Sequence, residues 1–196
     1  MLRGILICLG TALVLTGCAA GQQVNMDYKP ATKNLASNGA SVKTSVSDQR
    51  PEVKTGGKDP SFIGSYRGSF SLPFDVSNYQ NKPLAEQIAQ DLQQELKSLG
   101  FQNATGDQPQ KLLEVKILSW SFDGMVNGDF SYELLVSVLD KSGSKIYEKT
   151  LKGREEIEGS MFSGIKPGVE KNMPDFYNKV IRSIARNNKD ALVALN

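Results

Sequence analysis

Glu155, Glu156 and Glu158 crowd three carboxylates into one short stretch, and two carboxylates held at a controlled separation can cleave a glycosidic bond. In an extended chain, however, side chains repeat every two residues, so Glu156 and Glu158 share a face that Glu155 does not. A solvated acidic edge is the preferred reading over a hydrolase. Asp48 and Arg50, just before Pro51, invite an acid/base or ligand pair. Their spacing also suits a strand-end turn, with Asp48 accepting backbone N–H groups and Arg50 paired or solvated. The third reactive residue is Cys18, which stands at the border of an apolar run in "LVLTGCAAG".

Around that cysteine the chain shows one basic residue, Arg3, and an apolar stretch from Ile5 to Leu15, about half of what a bilayer crossing needs. The stretch reads as a targeting segment. Leu15-Thr16-Gly17-Cys18 resembles the lipobox of bacterial lipoproteins. That resemblance implies a signal peptide over 1–17, alkylation of the Cys18 thiol by diacylglycerol, cleavage before it and acylation (palmitate or a similar chain) of the freed amine. Several chains are needed because each buried CH₂ contributes roughly 0.8 kcal/mol, so one chain alone holds only reversibly. Ala19, where Asp would favour inner-membrane retention, implies an outer-membrane anchor facing the periplasm. A plain signal peptide with an incidental cysteine is the alternative.

Composition narrows the chemistry. The chain has no histidine and two cysteines, of which Cys8 would leave with the signal and Cys18 would become a thioether. His-dependent triads and the usual zinc sites are therefore excluded. There is no EF-hand calcium loop, no phosphate-cradling Gly-rich loop and no G-x-S-x-G elbow, so neither enzymatic activity nor a cofactor or metal is expected. The formal charge of +2 falls by one with Arg3, which gives no electrostatic basis for a nucleic-acid partner. The remaining length suits one domain with a single core.

The elements that must position these residues follow from the hydrophobic pattern. Residues 18–40 are polar and aperiodic, a tether of about 22 residues whose end-to-end distance is on the order of 25 Å. The other reading packs Val24 to Tyr28 as an edge strand. The domain would then span 41–196. Val42 to Val46 is β-like and stops at Pro51, and Phe70, Leu72 and Phe74 suit one strand face, with Pro73 marking an edge or bulge. Leu84, Ile88, Leu92, Leu96 and Leu99 predict a helix from Lys82 to Leu99, capped by Asn81 and stopped by Gly100, with Gln87, Gln90, Asp91, Gln94 and Lys97 toward water.

Alternation in "KLLEVKILSW" and "FSYELLVSVLD", turn signals at Asp123-Gly124 and Asn127-Gly128, and a turn at Lys141-Ser142-Gly143-Ser144 into "KIYEKTLKGREEIEG" predict an antiparallel meander of about three strands. Pro174 and Asp175 should open a second helix running to Leu195. The expected fold class is α+β: a two-layer sandwich of a mainly antiparallel sheet with two amphipathic helices on one face.

"SVSDQRP", "LAEQIAQDLQQELKSLGF", "LEVKILSW" and "GSKIYEKTLKG", in that order before a C-terminal helix, resemble the YajG-like family of bacterial lipoproteins. The order is also loosely similar to the auxiliary lipoproteins of ABC-type transport systems. The family brings no established activity. These resemblances imply a non-catalytic accessory or binding module, bound to the membrane through its lipid anchor and partnered with an envelope protein complex. A small-ligand binder of lipid or glycan is the alternative, using an aromatic patch of Trp120, Phe122 and Tyr132, for which core packing is the simpler account. The loop "GSMFSGIKPG" brings Met161, Phe162 and Ile165 among glycines, either to dock a partner or to cover the end of the core.

Overall fold

The computed structural model describes residues 22–32, 36–37, 39–67, 72–104, 109–124, 126–158 and 165–196. In chain order its elements are β1 (Gln22–Val24), β2 (Ser41–Asp48), α1 (Pro51–Lys54), β3 (Phe62–Arg67), β4 (Pro73–Asn78), α2 (Leu84–Ser98), β5 (Gln102–Asn103), β6 (Lys111–Gly124), β7 (Gly128–Asp140), β8 (Lys145–Ile157), α3 (Lys166–Ile184) and α4 (Lys189–Leu195).

The expected meander is present as β6, β7 and β8, paired antiparallel along nearly their whole lengths. Its second turn is fixed by Asp140, whose Oδ1 accepts the backbone N–H of Ser142 at 2.8 Å and of Ser144 at 3.0 Å. Gly143 follows with φ +81°, a conformation that glycine adopts without penalty. On β6 the buried positions run Leu113, Val115, Ile117 and then shift parity to Trp120 and Phe122. A bulge between Ile117 and Ser119 causes that shift.

The opposite edge of β6 carries two strands in series. Its first half pairs with β2 from Val42↔Lys111 to Asp48↔Ile117, and its end pairs with β3 at Ser65↔Asp123 and Tyr66↔Gly124. Both pairings are parallel, as are β1 with β4 and β2 with β5, whereas β3 with β4 is antiparallel. The fold is α+β as expected, but its sheet is curled and mixed, not mainly antiparallel. The physical reason is that hairpins announce themselves by turn residues, but parallel partners such as β2 and β6 are joined only through a long crossover. Gly64 permits the close approach of β3 to β6: its φ is +151°, and a Cβ there would lie 2.5 Å from the Phe122 carbonyl oxygen.

Helix α2 holds the predicted stripe, with Leu84, Ile88, Leu92 and Leu96 fully buried, and it ends at Gly100 with φ +95°. Its start differs: Pro83 precedes the first turn without a side-chain cap, and Asn81 lies in a 3-10 turn, Tyr79–Asn81. The C-terminal helix is two helices. α3 begins at Lys166, eight residues before Pro174, which sits inside it, and the chain breaks after Ile184 before Asn188 caps α4 through the N–H of Ala191 at 3.2 Å. Val169, Met173, Phe176, Tyr177, Val180, Ile181 and Ile184 join α2 and the sheet in one continuous core.

In the N-terminal segment β1 pairs with β4, and Val24 and Met26 are 2% and 1% exposed, so this stretch packs on the sheet as the edge-strand alternative has it.

Candidate functional site

The structure separates most of the residues that the sequence brought forward. Cys18, Met161 and Phe162 lie outside the described residues. Trp120, 1% exposed, packs its ring against Phe176 and Tyr177 at centroid distances of 5.8 and 6.0 Å, with Tyr132 at 6.4 Å. Phe122 is equally buried, and Phe130 stacks on Phe176. The aromatic cluster is core, which denies a ligand the Trp120 face. Ile165 is likewise buried, where it precedes α3.

The three glutamates diverge as the period of a strand requires. Glu155 turns toward α3, where Lys179 Nζ donates to both its oxygens at 2.9 and 3.0 Å. Glu156, the next residue along β8, takes the other face, and Glu158 follows the strand's end. Across from Glu156, Asp129 accepts from Arg154 at 3.0 and 2.7 Å, and these hydrogen bonds hold the Asp129 carboxyl below the usual range. The pairs lie on an exposed surface.

Asp48 and Arg50 do come together, in a buried ion pair. Arg50 donates from Nε to Asp48 Oδ1 at 2.9 Å and from Nη2 to Oδ2 at 2.6 Å, and its backbone N–H donates to Oδ1 at 3.1 Å. Its remaining arm, Nη1, donates to the Phe62 carbonyl at 2.7 Å. The two side chains are 0% and 10% exposed for Arg50 and Asp48. The pair thus ties the end of β2 to the start of β3 where β6 exchanges one neighbour for the other, and both charges are spent on the fold.

A second polar cluster lies where sequence reasoning placed a wet helix face. Asp91 and Glu95 of α2 are 4% and 0% exposed. Tyr177 donates to Asp91 at 2.8 Å, joined by the side-chain amides of Gln87 and Gln94. Burial pushes the Asp91 carboxyl up despite these hydrogen bonds, and burial followed by the Asp91 charge pushes the Tyr177 phenol well up. Glu95 accepts from the Tyr28 hydroxyl, from Arg186 Nε and from Ser98. Burial and the Glu95 hydrogen bond and charge also raise the Tyr28 phenol. The signal was in the spacing: Asp91 and Glu95 each lie seven residues after Leu84 and Ile88, and seven residues fall only about 20° short of two helical turns.

This cluster is the mount of the N-terminal segment. Asn178 of α3 accepts the Lys29 N–H at 2.9 Å and donates to the Asp27 carbonyl at 2.9 Å, and Arg182 donates to the Lys29 carbonyl at 3.0 Å. With Tyr28 on Glu95, both α2 and α3 hold the stretch that follows Cys18. Among the described residues no group of His, Cys, Asp or Glu is arranged to hold a metal ion, and no helix is long and apolar enough to cross a membrane.

No protein-family model and no curated protein matches the chain. Among solved structures it is similar to a Xanthomonas campestris protein assigned to DUF330, with a TM-score of 0.59 and 11% identity over 89% of this chain and 96% of that one. That likeness shows a shared fold. A PelC dodecamer from Paraburkholderia phytofirmans gives a TM-score of 0.42 at 10% identity over 86% and 97% of the two chains. A minor lipoprotein from Acinetobacter baumannii gives 0.37 at 9% identity over 80% and 92%. Neither of the last two reaches the similarity from which a common fold is read.

Proposed function

We propose that the chain is a lipid-anchored lipoprotein of the cell envelope, held through Cys18 in the outer membrane and facing the periplasm. Its domain acts as a non-catalytic accessory or binding module of an envelope transport complex. The observation that carries this reading is the mounting of residues 22–32: a segment that pairs with β4 and is bonded by Tyr28, Asn178 and Arg182 is built to fix a domain relative to its anchor. A module that must present one surface to a membrane complex needs that fixed pose, and a long free tether would forfeit it. The lipobox supplies the anchor, and the likeness to transport auxiliary lipoproteins supplies the class of partner.

The test is crosslinking of the tagged full chain in living cells, with Cys18→Ala as the control and labelled palmitate to follow acylation. Palmitate on the wild type only, with a transport subunit recovered from membranes, is the expected result. Acylation of the Cys18→Ala protein would remove the anchor from the account. Recovery of no specific protein would remove the accessory role.

A further inference from the structure

β1 and β4 run parallel, with Gln22 opposite Val76. Cys18 lies four residues before Gln22, and Leu72 lies four residues before Val76. Four residues span at most about 14 Å, a reach that would carry a lipid on Cys18 as far as the level of Leu72. There the structure carries an apolar patch on its surface. Leu72 is 58% exposed and Phe74 37% exposed, and Phe74 stacks on Tyr66 with ring centroids 5.3 Å apart. Alternation puts Phe74 on the strand face that farther along holds Val76, which is fully buried, and exposed Leu72 stands just before the strand. The apolar ridge therefore continues past the end of the core. Among the described residues beside it, Arg67 pairs with Asp123 at 3.2 Å and Lys58 with Asp75 at 2.6 Å.

Geometry also fixes which end of the domain this is. Tyr66 pairs with Gly124, the last residue of β6, whereas Lys111, the first residue of that strand, borders the surface around Val193 of α4. A strand the length of β6 spans about 45 Å, while the stretch from Cys18 to Gln22 reaches at most about 14 Å. The acyl chains are thus tied near the Gly124 end of β6, where the exposed apolar patch lies.

We propose that Tyr66, Leu72 and Phe74 rest in the headgroup layer of the bilayer that holds the Cys18 lipid, directing the Lys111 end of β6 and α4 away from the membrane. The proposal rests on the lipid-anchor reading above. Covalent chains supply the attachment and the apolar side chains set the orientation, a division of labour that suits shallow insertion of a small patch.

The experiment uses the full chain, processed in a bacterial host and reconstituted into phosphatidylethanolamine–phosphatidylglycerol vesicles. Mass spectrometry first reads the N-terminal peptide. With Cys8 removed and Cys18 alkylated, Leu72→Cys and Val193→Cys each introduce a single thiol for a fluorescent label, both at sites exposed enough to change without loss of the core. Vesicles with brominated acyl chains should quench about half of the emission at position 72 and leave position 193 unchanged. Lipidated, vesicle-bound protein with neither label quenched, or with quenching at 193, overturns the proposed orientation and leaves the anchor standing. An unmodified Cys18 overturns the anchor and the orientation together.

Discussion

Arg50 Nη1 donates to the carbonyl of Phe62 at 2.7 Å, so a side chain leaving the end of β2 holds the first residue of β3. Its other donors hold Asp48, and none of the guanidinium reaches water. Arg50→Ala should cost about 3–5 kcal/mol, because it strands a carboxylate at 10% exposure as well as a carbonyl. Arg50→Lys keeps the charge but lacks the planar fork, so it should recover only part of the loss. Urea midpoints of the three proteins measure this. A lysine variant as stable as the wild type would mean that the fork geometry is irrelevant.

Asp91 makes stability depend on pH with a definite sign. Burial raises its folded-state pKa above the ordinary 3.8, so the folded protein binds this proton more tightly than the unfolded chain. The contribution of Asp91 to stability is therefore fullest below pH 3.8 and declines as pH rises through the folded-state value. Asp91→Asn should remove that decline while keeping an acceptor for Tyr177. Unfolding midpoints across the acid limb should show the wild type losing stability relative to the variant as pH rises, and parallel curves would refute the assignment.

Local signals carried much of this fold. The stripe of Leu84, Ile88, Leu92 and Leu96 and the alternation of Leu134, Val136 and Val138 identified α2 and β7, because each period is written in neighbouring residues. The parallel pairing of β2 with β6 had no such signature, since nothing near Asp48 announces Ile117 as its partner. Pro174 misled in the other direction: proline usually opens or breaks a helix, but the packing of Val169 and Met173 ahead of it carries α3 through that residue. Of the site residues, the adjacency of Asp48 and Arg50 was legible and their burial was not, because burial depends on β3 and β6 arriving from elsewhere in the chain.

Gly64→Ala tests the close approach of β3 to β6. The new methyl would meet backbone atoms of Phe122 at 2.5–2.6 Å in a region of φ that L residues disfavour. A loss of at least about 2 kcal/mol in equilibrium unfolding should result, from backbone strain together with displacement of the strand. Gly143→Ala is the contrasting variant, with a positive φ but no atom within 4 Å, so it should cost less. Equal losses would show that strain alone decides both.

Lys179 and Glu155 form an exposed pair, with side chains 64% and 39% exposed. A double-mutant cycle with Lys179→Met and Glu155→Gln should give a coupling below about 1 kcal/mol in thermal or urea unfolding. Replacing Glu155, Glu156 and Glu158 together by Gln should leave the fold and every envelope phenotype unchanged. A lost phenotype in a folded variant would return the hydrolase reading to consideration.

The mount of the N-terminal segment should open without unfolding the domain. Asn178 satisfies the Lys29 N–H and the Asp27 carbonyl, both near the surface, and it lies outside the apolar stripe of α3. Asn178→Ala removes both hydrogen bonds to the segment, and one to the Pro174 carbonyl, but leaves Val24 and Met26 in the core, so the global loss should be about 1–2 kcal/mol. Local opening should respond more strongly: the Lys29 amide should exchange at least about tenfold faster, while amides in the centre of β7 change only with the global loss. Tyr28→Phe should act on the same segment through Glu95, which retains Arg186 as its partner. If both variants left exchange across 22–32 unchanged, β1 pairing alone would hold the segment, and the side-chain mount would have no part in fixing the anchor.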